Sequence, residues 1–141
     1  EDAQSMMNEG YRNSSIYGML GYFKLLRNDD LDETTKLCEE AYDYNSDDRD
    51  IIDNLSICYF RKGEYEKAEK ISDELVGSAP NFVEGFYHGI QIAMKLNKYD
   101  KAAEYAEKLK ECKRSGMTTV TEEEVNKLIQ EVKNHNENTI G

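Results

Sequence analysis

The sequence predicts an all-α fold built from repeated helical units, and its composition and one recurring spacing support this prediction. The 141-residue chain contains a single proline, Pro80, and no tryptophan, while 33% of its residues are charged. A chain that is poor in proline and rich in Glu, Lys, Ala and Leu suits helices. Tyr65 and Tyr99 lie 34 residues apart, and Ala68 and Ala102 are separated by the same step.

The 34-residue step also extends backwards along the chain. One step before Tyr65 stands Leu31, so a large apolar residue follows a polar turn three times in phase. A period of this length is typical of units that each contain a helix, a turn and a second helix. Small residues are expected where helices approach closely, and large ones are expected to fill the layers between them. The small residues are Gly21, Ser56, Ala68 and Ala102, and the large ones are Leu20, Leu55, Tyr59, Tyr65 and Tyr99.

These motifs resemble the tetratricopeptide repeat (TPR) family, and we interpret the chain as a fragment of a bacterial-type TPR protein. The resemblance implies a TPR-type right-handed α-solenoid of antiparallel helix pairs with a C-terminal capping helix. It rests on Tyr17-x-x-Leu20-Gly21 in the first repeat, on Leu55-Ser56, Tyr59, Gly63, Tyr65, Ala68 and Pro80-Asn81 in the second, and on Phe86, Tyr99 and Ala102 in the third, where the Leu-Gly pair is inverted to Gly89-Ile90.

One TPR array is expected over residues 1–141, closed at its C-terminal end by a capping helix. Thr121 and Glu124 form a capping-box pattern, and Val120 and Val125 are placed for a hydrophobic staple. A repeat array needs such an end helix to cover its last apolar face. The predicted segments are the second helix of a truncated preceding repeat at 1–12, repeats at 14–48, 49–82 and 83–116, and the capping helix at 121–137.

Charge and composition restrict the classes of partner. The net charge of −11 argues against nucleic acid and against an anionic membrane surface, because both need a basic footprint. No apolar run approaches the length of a membrane helix, so we expect no direct membrane contact from this segment. Three widely spaced cysteines without a CxxC motif favour reduced thiols and a cytoplasmic location. The parent chain can still be membrane-anchored through a segment that is not present here.

The sequence contains no catalytic constellation. His88 and His135 lie far apart and share no acidic motif, so the HExxH pattern of zinc enzymes is absent. Asp47-Asp48-x-Asp50 lacks the Gly and Glu of a calcium-binding loop, and its spacing instead predicts the start of a helix. We therefore predict that the chain is not an enzyme, has no catalytic residue, and binds neither a cofactor nor a metal ion.

The TPR resemblance implies a partner-binding groove, because the first helix of each pair lines the concave surface in that family. A mostly apolar and aromatic groove would accept an extended peptide or an amphipathic helix. Ile57, Phe60 and Tyr87 have a second interpretation, namely that they simply pack between helices. The predicted groove residues are Tyr22, Leu25, Leu26, Asp53, Ile57, Phe60, Arg61, Tyr87, Gln91, Met94 and Lys95.

One familiar TPR ligand is not favoured. Chaperone-binding members of the family grip a C-terminal carboxylate with two Lys, one Arg and two Asn. The matching positions here hold Gly18, Tyr22, Asn54, Glu84 and His88. Only the asparagine remains, and Glu84 would repel a carboxylate, so a carboxylate clamp is not expected.

The sequence thus predicts a protein–protein interaction scaffold that binds a peptide or helix of a partner. Two alternatives stay open. The array is a structural spacer that self-associates through an apolar N-terminal end, over residues 1–20, or it is a docking or regulatory region of a longer, membrane-anchored or enzymatic parent protein. The TPR fold serves many roles, so the inference of binding is an analogy.

Overall fold

The computed structural model describes residues 14–115 and 118–140. The predicted helix at 1–12 lies outside the described residues. Within the described ranges the chain forms helices and no strands, which confirms the all-α prediction. The helices are α1 (Ser14–Leu26), α2 (Leu31–Tyr44), α3 (Arg49–Arg61), α4 (Tyr65–Ser78), α5 (Val83–Lys95), α6 (Tyr99–Glu111) and α7 (Glu122–Ile140).

The helix starts follow the period seen in the sequence. The second helices of the three pairs begin at Leu31, Tyr65 and Tyr99, which are the residues related by the 34-residue step. A large apolar residue therefore opens each second helix directly after a polar turn. The boundaries predicted for the individual repeats remain predictions.

The turn within each pair closes the first helix with the same hydrogen-bond pattern. A residue with positive φ closes each first helix: Asn28 (55°), Gly63 (79°) and Asn97 (60°). Each of these residues donates its N–H to the carbonyl three residues earlier, and the next residue donates to the carbonyl five residues before it. This is the Schellman arrangement that satisfies carbonyl groups at a helix end. The left-handed conformation suits Gly and, among other residues, Asn.

Acidic side chains begin two of the helices by capping them. Asp48 Oδ1 accepts hydrogen bonds from the backbone N–H groups of Asp50 (2.9 Å) and Ile51 (3.3 Å) at the start of α3. Asp30 accepts from the N–H of Glu33 (3.0 Å) at the start of α2. Such bonds satisfy donors that have no partner inside the helix. The interpretation of Asp47-Asp48-x-Asp50 as a helix start is confirmed.

The capping box before α7 also forms as predicted. Thr121 Oγ1 accepts from the N–H of Glu124 at 3.1 Å, while the Glu124 carboxylate accepts from the N–H of Thr121 at 2.9 Å. Hydrogen bonds from the backbone and hydroxyl of Thr121 hold the pKa of Glu124 below its usual value. The helix then runs to Ile140, three residues beyond the predicted end of the capping helix.

The chain divides into two compact units, Glu1–Ile71 and Ser72–Gly141, and the division falls inside α4. In the first unit α1 packs against both α2 and α3. Gly21 makes this close approach feasible, because a Cβ there would lie 3.3 Å from Cys38 Sγ and 3.1 Å from Asn54 Nδ2. The core beside it is formed by Ile16, Leu20, Ala41 and Ile51, with Leu37 and Tyr42 packed against it.

In the second unit α6 packs against α5 and α7, and α5 also contacts α7. Gly89, from the inverted Gly-Ile pair, lies at a crowded position: a Cβ there would be 3.1 Å from Ser72 Oγ and from the Tyr105 ring. The close packing expected of a small residue therefore occurs. The core includes Phe86, Ile90, Ala102, Tyr105, Leu109, Val120, Leu128 and Val132.

Candidate partner-binding surface

The predicted groove residues of the first unit lie on α1 and α3, which pack together. Tyr22 and Leu26 are exposed on α1, by 36% and 58%. Ile57 and Phe60 are half-buried on α3, where they each retain some accessible surface. The structure therefore brings four apolar groove residues onto two neighbouring helices.

Two predicted groove residues of this unit, Leu25 and Asp53, have buried side chains. Leu25 is only 4% exposed, and Asp53 is 7% exposed. A side chain with so little accessible surface contributes packing and cannot anchor a partner in this conformation. Leu25 and Leu26 are adjacent in the sequence and equally apolar, yet they point to different environments because successive helical residues are rotated around the axis.

Arg61 joins the ends of the two helices. Its Nη1 donates to the backbone carbonyl of Leu25 at 2.9 Å, which supplies a partner for a carbonyl at the end of α1. The hydrogen bond places the cationic group of α3 beside the exposed end of α1. Phe60, one residue earlier, has its ring 5.5 Å from that of Tyr65, so one side of Phe60 packs within the unit.

The predicted groove residues of the second unit all lie on α5. Tyr87 and Met94 are half-buried and pack against the core cluster that includes residues of α7. Gln91 is half-buried and Lys95 is exposed. Burial raises the pKa of the Tyr87 phenol, and the carboxylates of Glu124 and Glu131 add to this effect. The packing interpretation therefore accounts for part of the Tyr87 surface, and the rest remains accessible.

The polar groups at the carboxylate-clamp positions are engaged within their own units. Asn54 is buried, and its Nδ2 donates to the backbone carbonyl of Gly18 at 3.0 Å. Glu84 is 6% exposed, and its Oε2 accepts from both the N–H and the hydroxyl of Thr119, each at 2.8 Å. The Asn54 amide thus serves to tie α3 to α1, and Glu84 ties α5 to the segment before α7.

An exposed apolar stripe on α1 includes two residues that the sequence-based groove did not contain. Met19 (45%) and Phe23 (48%) are exposed together with Tyr22 and Leu26. The four residues, which we call the outer stripe, have the i, i+3, i+4, i+7 spacing of one helix face. The spacing was visible in the sequence, but α1 is apolar on its other side too, so periodicity could not show which side is buried.

The thiols of Cys38 and Cys58 are buried side by side, with their sulfur atoms 3.6 Å apart. The hydrogen bond with Cys58 and burial both raise the pKa of Cys38. Cys112 is half-buried, and its pKa is raised by burial and by Glu111. Among the described residues, no group of three or more His, Cys, Asp or Glu side chains is arranged to hold a metal ion. None of the described helices has the length and apolar character needed to cross a membrane.

The regular helix starts and the three like turns define a helical-repeat protein. A family model described as tetratricopeptide repeat matches residues 25–85. That segment is TPR sequence, and the predicted resemblance to the TPR family is confirmed. No curated protein matches the chain.

Solved TPR structures share the fold. The TPR domain of Sgt2 from Aspergillus fumigatus superposes with a TM-score of 0.76 at 17% identity, over 89% of this chain and 80% of that one. The first TPR of Spaghetti (RPAP3), bound to the HSP90 peptide SRMEEVD, gives 0.72 at 14% identity, over 86% and 91%. YrrB, a TPR protein with an unusual peptide-binding site, gives 0.70 at 16% identity, over 94% of this chain and 62% of that one. Identities this low establish the fold alone.

Proposed function

We propose that this chain is a non-catalytic scaffold that binds a peptide or an amphipathic helix of a partner protein. The TPR sequence and fold support protein interaction in general terms. Two of the neighbouring structures are named for peptide binding. The observation that carries the proposal for this chain is the exposed end of α1 beside α3, where Arg61 donates to the backbone carbonyl of Leu25 and the next residue, Leu26, is 58% exposed.

The chemistry of this surface suggests what the partner presents. Tyr22, Leu26 and the accessible part of Phe60 provide apolar area, and Arg61 provides a positive charge at the edge. Aromatic side chains and Arg are frequent energetic anchors of protein interfaces. A matching ligand has apolar side chains on one face and a carboxylate beside them. The engaged Asn54 amide and the acidic Glu84 argue that recognition does not depend on a free C-terminal carboxylate.

The test begins with peptides selected for binding to the 141-residue chain from a random display library, measured by fluorescence anisotropy. Phe60→Ala is expected to weaken binding by about tenfold, as partial loss of an aromatic anchor predicts. The matched control is Tyr44→Ala, which truncates an aromatic residue that is 51% exposed on α2. Circular dichroism verifies that helicity is unchanged. Equal binding by Phe60→Ala, Tyr44→Ala and the wild-type chain would remove Phe60 from the binding surface.

A further inference from the structure

The outer stripe of α1 is an apolar surface on a helix whose opposite side is already buried. Ile16, Leu20 and Leu25 face the interior, while the outer stripe stands 36% to 58% exposed. A helix that is apolar all round is normally covered on every side. The outer stripe therefore indicates an interface with another apolar surface.

The order of residues in the outer stripe fits a copy of itself. If two α1 helices pair antiparallel about a point between residues 22 and 23, Met19 of one copy faces Leu26 of the other, and Tyr22 faces Phe23. Every side chain of the outer stripe then meets another member of the same stripe. A two-fold interface requires this kind of self-complementarity. Tyr22 and Phe23, whose rings are 6.0 Å apart, would form the centre of a four-ring cluster.

The charge distribution also favours α1 as the contact surface between two copies. The chain carries a net charge of −11, so two copies repel each other over most of their surfaces. Among the seven described helices, only α1 contains no Asp or Glu, and it carries Lys24. Asp29, just beyond its end, is paired with Arg27 at 2.6 Å and with Lys24 at 3.7 Å. The α1 helix itself therefore adds no negative charge to the face that carries the outer stripe.

The area of the outer stripe sets the expected affinity of the dimer. Four large side chains at this exposure present on the order of 350 Å² of apolar surface per copy, since an aromatic side chain can bury roughly 150–250 Å². Twice that area is below the roughly 1,200 Å² at the lower limit of stable interfaces. The structure thus points to a weak and reversible dimer.

We propose that the outer stripe of α1 is a homodimer interface, in which two α1 helices pack antiparallel about a two-fold axis between Tyr22 and Phe23. The proposal stands independently of the peptide-binding function, although Tyr22 and Leu26 take part in both. Dimer formation would cover these two residues, and a peptide that contacts them would compete with the second copy.

Sedimentation equilibrium of the 141-residue chain, from about 10 µM to about 1 mM, tests the dimer. We expect the average mass to rise towards that of a dimer, and to rise further with added salt, which screens the repulsion between acidic copies. Phe23→Glu places a charge in the interface twice, once from each copy. A tenfold loss of dimer affinity per site therefore becomes a loss of about a hundredfold. Tyr44→Glu is the control, because it adds the same charge at an exposed aromatic residue of α2.

A wild-type chain that stays monomeric over the whole range overturns the proposal. So does equal weakening by Phe23→Glu and Tyr44→Glu, because the effect would then be one of net charge alone. The peptide-binding proposal fails by a different result, since Phe60 lies outside the outer stripe and Phe60→Ala is expected to leave the dimer intact.

The antiparallel register has its own test. Met19→Glu and Leu26→Lys should each weaken the dimer, whereas the double variant places opposite charges face to face between copies. Within one helix the two positions are seven residues apart, about 10 Å along the axis, and so do not pair directly. We expect the double variant to recover at least tenfold of the lost affinity and to weaken with salt. If the losses of dimer affinity caused by Met19→Glu and Leu26→Lys simply add in the double variant, this register is excluded.

Discussion

Replacing Leu128 by Ala tests whether α7 covers the apolar end of the second unit. Leu128 is 6% exposed and lies in the core cluster with Leu109, Val120 and Val132. The substitution removes three carbon atoms, each worth about 0.8 kcal/mol of transfer free energy, or about 2.4 kcal/mol together. The cavity left behind adds to this cost. We expect the free energy of unfolding to fall by about 3 kcal/mol.

The assay is thermal and urea unfolding followed by circular dichroism. A chain of this length loses about 3 °C of melting temperature per kcal/mol, so the expected decrease is roughly 9 °C. Lys127→Ala is the control, because it truncates the exposed neighbouring residue of the same helix and should change stability by less than about 0.5 kcal/mol. If Leu128→Ala and Lys127→Ala have equal stabilities, α7 does not cover the core and the reasoning fails.

Three further predictions concern the second unit. A double-mutant cycle with Glu84→Gln and Thr119→Val should show a coupling of about 1 kcal/mol in urea unfolding, because Glu84 accepts a hydrogen bond from the Thr119 hydroxyl; additive losses would contradict it. Burial and the Asp73 carboxylate raise the pKa of Tyr105 to about 12, so its contribution to stability should be complete below about pH 10 and lost towards pH 12. Tyr105→Phe should flatten that decline, measured by urea unfolding across the range, and an unchanged slope would count against the assignment. Gly89→Ala should destabilise by about 1–3 kcal/mol through overpacking, whereas Gly77→Ala, with open space at its Cβ, should stabilise by up to about 1 kcal/mol. The same sign for both alanine variants in thermal unfolding would show that the crowding at Gly89 is not felt.

The repeat could be predicted from the sequence because it depends on local rules that recur. Leu31, Tyr65 and Tyr99 open their helices at the predicted step. Asp48 and Thr121 start helices through short side chains that reach backbone N–H groups a few residues away, so their partners are fixed by spacing. The repeat step, the helix start at Asp48 and the capping box could therefore be predicted without a structure.

The partner-binding surface was harder to predict from the sequence, because the exposure of a side chain depends on contacts between distant parts of the chain. Leu25 and Leu26 are equally apolar, and only packing against α2 and α3 determines that the first is buried and the second exposed. Asp53 was placed in the groove by analogy with the family, although its side chain is buried. The link between Glu84 and Thr119 spans 35 residues, and no local pattern predicts it.

The three left-handed turns at Asn28, Gly63 and Asn97 have a consequence for how the length of this sequence can change. Each turn has the same hydrogen-bond pattern although the residue that closes it differs. A recombination event that joins one turn to another would therefore insert or delete a whole helix pair while keeping every helix in phase. Changes in length by multiples of about 34 residues are structurally mild, whereas an insertion of a few residues inside a helix rotates all later side chains away from their contacts. The turns are therefore the positions at which whole helix pairs can be inserted, deleted or exchanged.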